Sequence, residues 1–199
     1  MLQYITDNKS RRSVEEQISE VLGAGCGWIE IDTDGLTDDR IKEIVVNIMP
    51  ECLKHETFLI LRDKVQLAKE INVGGVVLSQ GSEFPSHARA SLGAAAVIGV
   101  EVTTADQIAA LKGLDVDYVM LTFSSAAANL DTIRELCSYM EAAEMELPRV
   151  ACGNVTCDDI PALMEAGCNG VAMSGALSEA SDMKAETIRA ISLLKKKEG

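Results

Sequence analysis

Short apolar runs alternate with stretches of helical period along the whole chain. Leu2–Thr6, Gly27–Ile31, Thr57–Leu61, Gly75–Leu78, Ala96–Val100, Asp117–Leu121, Val150–Cys152 and Gly170–Met173 are too brief for helices, and they read as strands. The segments between them carry helical patterns; Asp158–Ala166, for example, has apolar residues at helical spacing. Eight strands with eight helices is the count of a (β/α)8 TIM barrel, an α/β fold of eight parallel strands. The even-numbered strands share one entrance, a helix end, a turn and then an apolar run: GAGCGWIEI, EINVGGVVL, GLDVDYVML and EAGCNGVAM. That recurrence marks a repeated (βα)2 unit, which a doubly wound sheet does not need. No Pro/Gly/Ser linker or low-complexity tract breaks the pattern, so residues 1–199 are expected to form a single domain. Leu193-Leu194-Lys195-Lys196-Lys197 reads as an amphipathic helix end fraying into solvent.

The stretch Arg149–Leu177, RVACGNVTCDDIPALMEAGCNGVAMSGAL, joins the fold to a chemistry. Each of its strands ends in small residues, Gly153-Asn154 after the first and Ser174-Gly175-Ala176 after the second. In (β/α)8 barrels the loops after the last two strands, with the N-terminus of a short following helix, commonly bind phosphate through backbone N–H groups. Glycine lets that backbone come close. Gly153, Asn154, Ser174, Gly175 and Ala176 are therefore the candidate phosphate-binding residues, against the plainer reading that small residues only fit tight turns.

Composition narrows the partners. With 199 residues, 47% of them hydrophobic and 25% charged, the chain can bury a full core, yet it is short for such a barrel and insertions must be few. A formal net charge of −13 argues against tight binding to a nucleic-acid backbone. No run approaches a membrane span, and MLQYITDNKSRR starts directly in a strand without a signal segment, so the cytoplasm is the expected compartment. Cys26, Cys52, Cys137, Cys152, Cys157 and Cys168 form no CxxC pair and no zinc pattern, and they read as buried or idle thiols. His55 and His87 are not placed for catalysis, and Lys64 opens a helix facing solvent. No organic cofactor is expected. Helix faces of small barrels often make homodimers, but no residue pattern identifies the patch.

LQYITD at the first strand, AGCGWIEIDTDGLTDD at the second, RDKVQLAKEINVGGVVLSQ across the third and fourth, IGVEVTTADQIAAL at the fifth and the Arg149–Leu177 stretch occur in a telling order and spacing. Together they give a sequence that resembles thiamine phosphate synthase and its TenI-type relatives over nearly the whole chain. The resemblance implies a barrel protein of thiamine metabolism whose partner is a small phosphorylated molecule. Active members join a pyrimidine diphosphate to a thiazole phosphate and release pyrophosphate. Ionising the pyrimidine needs positive charge around the departing diphosphate, which that family supplies with Mg2+ and basic side chains.

Set against that family's motifs, several charged positions differ. Its second-strand motif Gln-Leu-Arg-x-Lys reads Glu30-Ile31-Asp32-Thr33-Asp34, two positive charges exchanged for two negative ones. Residues i, i+2 and i+4 of a strand share a face, so Glu30, Asp32 and Asp34 are expected to point into the mouth, with Trp28 of the same parity closing the floor. The Asn-Asp pair after the third strand is Arg62-Asp63, and the second metal-binding Asp falls on Ser82, with Glu83 one place on. The resemblance therefore implies Asp63 and Glu83 as the candidate Mg2+ ligands. The Ser after the fifth strand is Glu101, the TenI-type His falls on Thr103, and the Pro-Thr-x-Thr-Lys loop becomes Thr122–Asn129 without a lysine. Gly153-Asn154 stands for the family's Gly-Gly, and Met173-Ser174-Gly175-Ala176 is nearest to the TenI version.

Hard cations take several carboxylate oxygens, so a divalent ion near Asp63 and the Glu30, Asp32, Asp34 row is chemically reasonable. The competing reading is local: Asp34-Gly35 is a turn signature and Asp38-Asp39 opens a helix, so the acid can be capping and solvated face. The sixth strand, DYVMLTFSS, has no lysine for a Schiff-base aldolase, and Asp63-Lys64 lacks the Asp-x-Lys-x-x-Asp array of barrel decarboxylases. Three functions stay open: a divergent phosphate-binding member, an active synthase, and an inert structural or interaction protein. No catalytic residue is assigned.

Overall fold

In the computed structural model, which describes residues 1–195, the apolar runs become eight strands. They are β1 (Leu2–Ile5), β2 (Trp28–Ile31), β3 (Phe58–Arg62), β4 (Gly75–Leu78), β5 (Val97–Val102), β6 (Tyr118–Thr122), β7 (Arg149–Cys152) and β8 (Gly170–Met173). All pair in parallel and in chain order, and β8 returns to β1 through Leu2 with Val171 and Tyr4 with Met173 to close the barrel. Alternation along each strand sorts side chains into two cores. Tyr4, Ile29, Ile31, Leu59 and Leu61 join the layer beneath the helices, while Ile5, Ile60, Val77, Met120 and Val150 fill the lumen. Trp28 packs on the lumen core at its N-terminal end, stacked on Phe58 with centroids 5.5 Å apart and edge-on to Tyr118 at 5.5 Å. Gly99 faces that ring: a Cβ there would lie 2.3 Å from Tyr118, so a larger residue would displace the tyrosine.

The helices are α1 (Val14–Gly23), α2 (Asp38–Lys54), α3 (Val65–Glu70), α4 (Pro85–Leu92), α5 (Ala105–Ala110), α6 (Leu130–Ala142), α7 (Ile160–Glu165), α8 (Gly175–Ser178) and α9 (Met183–Lys195). α1 and α5 begin on capping boxes, Ser13 with Glu16 and Thr104 with Gln107. Thr37 caps α2, whose first turn holds Asp38 and Asp39 at the positive end of the helix dipole. Among the described residues the eight expected helices become nine, because the segment after β8 makes the four-residue α8 before α9 closes the ring. Lys196 and Lys197 lie outside the described residues. Among the described residues no helix is long and apolar enough to cross a membrane.

Three strands outrun their apolar patterns. Arg62 still pairs with Val77, Glu101 with Met120, and Thr122 with Cys152. A reading by apolar runs stops at the first polar residue. The ladder continues, because these side chains have the parity that enters the barrel mouth.

A buried amide shapes the loop after β1. Gln17 of α1 is fully buried; its Oε1 accepts from the Tyr4 hydroxyl at 2.6 Å and the Asp7 amide at 2.9 Å. Its Nε2 donates to the carbonyls of Asp7 and Arg12, each at 2.9 Å. Replacing it strands four polar groups, and buried unsatisfied groups cost about 1–3 kcal/mol each before relaxation. Gln17→Leu is expected to lower stability by about 3 kcal/mol, and Gln17→Glu at low pH by less. Urea unfolding checks this; a loss under about 1 kcal/mol for Gln17→Leu would show that water replaces the amide freely.

Candidate functional site

One guanidinium organises the mouth. Arg62, the last residue of β3, places Nη2 2.9 Å from Glu30 Oε1 and Nε 3.9 Å from Asp32 Oδ1, and Nη1 donates to Glu101 Oε1. Three carboxylates from β2, the turn after it and β5 therefore surround one cation. Glu30 is fully buried, and its Oε2 also accepts from Gln3 Nε2 at 2.7 Å. Its Oε1 is ion-paired with Arg62 but off the line of a directed hydrogen bond. Burial pushes the Glu30 carboxyl up to about 7, with Arg62 pulling it down and Glu101 pushing it up. Burial alone would lower the Arg62 guanidinium, but Glu30 and Glu101 more than reverse this and hold it firmly charged. Beneath the cluster, Gln3 Oε1, Trp28 Nε1 and the Tyr118 hydroxyl are buried without a hydrogen-bond partner among the described residues. Cys152 at the end of β7 is pushed up to about 12, chiefly by burial, so it is a thiol and not a nucleophilic thiolate near neutrality.

The small-residue loops meet in a second cleft. Gly153, Asn154, Ser174, Gly175 and Ala176 line a cavity of about 380 Å3 with Ile5, Thr156 and Glu179. Two glycines serve different ends there. Gly153 has φ 127°, and a Cβ on it would sit 1.8 Å from the Phe123 carbonyl, so the turn itself demands glycine. Asn154 holds the same turn, donating from Nδ2 to the Ser124 carbonyl at 2.8 Å. Gly175 has open space where a Cβ would stand, so nothing in the fold demands glycine there. It opens α8, where the Leu177 and Ser178 amides return to the Ser174 carbonyl at 2.9 and 3.0 Å. The leading amides of Gly175 and Ala176 have no intrahelical acceptor.

The remaining acidic candidates are spread out. Asp63, at φ 60°, accepts from the Ser79 amide at Oδ1 and the Ser79 hydroxyl at Oδ2, both at 2.8 Å, tying the loop after β3 to that after β4. Asp63 and Glu83 share a cleft of about 320 Å3 with Asp38 and Lys64, and Lys64 Nζ lies 2.9 Å from Asp38 Oδ1. Ser82 and Glu83 are exposed and, with Glu101, line an apolar cleft of about 510 Å3 between α4 and α5. Among the described residues no three His, Cys, Asp or Glu side chains gather to hold a metal ion, so the arrangement does not fit a Mg2+ site built from protein ligands alone. Asp34 departs from the expected face. β2 ends at Ile31, so strand parity no longer governs Asp34, which is exposed in a turn with its amide on Asp32 Oδ1 at 3.1 Å.

Sequence reasoning treated Arg62 as one more replaced position and missed that it pairs with three acids. Its shared parity with Ile60 was the available signal. It also passed over Lys9, Arg11 and Arg12, which line a cleft of about 360 Å3 with Ser10, Ser178 and Glu179. The run KSRR just after the first strand was in plain view.

Comparison with known proteins places the chain. A thiamine-phosphate synthase of Bacteroides fragilis is 32% identical over 201 aligned residues, covering 96% of this chain and 98% of that one. A thiamine-phosphate synthase of Bacteroides thetaiotaomicron is likewise 32% identical, with 96% of each chain covered. The solved thiamine phosphate pyrophosphorylase of Pyrococcus furiosus superposes with a TM-score of 0.88 at 19% identity, over 100% of this chain and 96% of that one, a likeness of fold. The sequence profile described as thiamine monophosphate synthase (TMP-TENI) matches residues 2–177, and the chain belongs to that family.

Proposed function

We propose that this chain is a divergent member of the family. In this reading it binds a small phosphorylated molecule of the thiazole phosphate or thiamine phosphate class at Gly153, Asn154 and Ser174–Ala176, and has lost the basic grip on a diphosphate at the second strand. One observation carries the reading: the mouth's guanidinium, Arg62, is already surrounded by Glu30, Asp32 and Glu101. A diphosphate approaching it meets more negative than positive charge. The phosphate end depends on main-chain amides, which acidic substitutions elsewhere leave intact, and Gly175 is free of any packing demand for glycine. The second reading, an active synthase, is favoured by 32% identity to proteins of that name across 96% of the chain.

A thermal-shift screen with thiazole phosphate, thiamine phosphate, pyrophosphate and simple sugar phosphates, each with and without Mg2+, separates ligand classes, because ligands specific to the folded state raise Tm. A shift is expected with at least one phosphate ester. Gly175→Leu fills the open space above the cleft and is expected to abolish that shift while the unliganded Tm stays within about 3 °C of the parent. Equal ligand shifts in parent and variant, or no shift with any phosphate at millimolar concentration, would reject the phosphate assignment and favour an interaction protein.

A further inference from the structure

The cysteines are not all alike. Burial pushes Cys26, Cys52, Cys152 and Cys157 up from the ordinary thiol range. Cys137 of α6 goes the other way although it is only 1% exposed. The Cys168 thiol hydrogen-bonds to its sulfur, which outweighs burial, and the Arg149 guanidinium adds to the lowering. Cys168 stands in the turn between α7 and β8, so the contact joins two elements distant in sequence.

Backbone and Arg149 together hold these elements close. Gly167, at φ 106°, brings the turn so near to α6 that a Cβ on it would lie 2.9 Å from Cys137 Cβ and 3.5 Å from Cys137 Sγ. Arg149, at the start of β7, ties both sides. Its Nη1 donates to the Cys137 carbonyl at 3.2 Å, while its Nε and backbone amide donate to Asn169 Oδ1 at 3.3 and 2.9 Å. The Asn169 amide returns to the Arg149 carbonyl at 2.8 Å. Two hydrogen-bonded thiols on a backbone fixed in this way can be bridged by side-chain rotation. Cys137 is one helical turn from Glu141, and Glu141, Arg149 and Asn169 line an open cleft of about 720 Å3 at the N-terminal face of the barrel. A small oxidant therefore has a short path to the Cys137 sulfur.

We propose that Cys137 and Cys168 form a peroxide-responsive dithiol, in which oxidation by hydrogen peroxide staples α6 to the entrance of β8. The Cys137 thiolate attacks one peroxide oxygen; the O–O bond breaks, and the departing hydroxide takes a proton to become water. The Cys168 sulfur then attacks the Cys137 sulfenic acid, forming the S–S bond and releasing the sulfenic oxygen as a second water with the Cys168 proton. Two thiols lose two electrons in all, and one peroxide is reduced to two waters. The staple closes a loop of about 30 residues across β7 and α7, which constrains the unfolded chain. It lies at the opposite end of the strands from the mouth, so it acts on stability and is independent of the phosphate-binding reading.

The test is to expose the native parent to hydrogen peroxide, then unfold, alkylate and digest it without reductant. A peptide linked through Cys137 and Cys168 is expected as the main disulfide product. Before unfolding, the oxidised protein should melt about 5 °C higher than the parent, and a thiol reductant should reverse the shift. Cys168→Ala is expected to lose both the link and the shift, leaving Cys137 as a sulfenic acid that dimedone traps. If Cys137 and Cys168 stay reduced, if either sulfur pairs elsewhere, or if the linked protein melts no higher than the parent, the staple is overturned. Mapping the link in the parent decides the matter even where Cys168→Ala fails to fold.

Discussion

Supplied with a pyrimidine diphosphate, a thiazole phosphate and Mg2+, the purified protein is expected to form thiamine phosphate about a thousandfold more slowly than a family member with a cationic second strand. The resemblance implies that Arg and Lys at the positions of Asp32 and Asp34 attract the departing diphosphate in such members. Each close charge pair at the mouth is worth about 1–4 kcal/mol at the intermediate dielectric of a protein surface, and each 1.36 kcal/mol off a barrier is tenfold in rate. Two exchanged signs therefore reach several kcal/mol even after solvent screening. Arg62 does not offset the exchange, because Glu30, Asp32 and Glu101 already compete for it. Thr122–Asn129, which stands where the resemblance implies a lysine loop, contributes no cation. Product quantified by chromatography under saturating substrates decides the matter. Turnover at the family's ordinary rate would sink the divergent reading and leave the active synthase, for which the 32% identity to named synthases already speaks.

The barrel was legible because its strands are buried on both faces and too short for helices, so periodicity alone separates them from the segments between. The meeting of the small-residue loops in one cleft was legible for a related reason: Gly153 and Gly175 follow the last two strands, where local sequence shows both the turn and the small side chains. Charge at the mouth was harder. Whether Glu30 is a solvated acid or a buried one depends on Arg62, Glu101 and Gln3, which lie on three other strands, and no local pattern contains that. Extrapolating strand parity past Ile31 misplaced Asp34, because the chain had turned before reaching it. Gln17 was invisible for the same reason as the Arg62 cluster: its partners Tyr4, Asp7 and Arg12 come together only when α1 packs on the barrel.

Stability is expected to fall between pH about 4.5 and about 7 through Glu30, and this loss should vanish in Glu30→Gln. The folded carboxyl is raised from 4.5 to about 7, chiefly by burial. In that window the unfolded chain releases its proton while the folded protein keeps it, so rising pH favours unfolding. The stabilising contribution is complete below 4.5 and lost as pH rises through 7. The gap corresponds to about 3 kcal/mol, which urea unfolding of parent and variant at several pH values measures as a difference that grows with pH. A difference constant from pH 4.5 to 8 would mean that Glu30 is ionised throughout. Arg62→Met gives the complementary result. It leaves Glu30, Asp32 and Glu101 without their shared cation, and is expected to cost about 3–5 kcal/mol at pH 8 and less at pH 5, where Glu30 carries a proton. The same titration acts on the mouth: below pH 7 a protonated Glu30 gives up part of its hold on Arg62, so any anion that does reach the guanidinium should bind more tightly in acid.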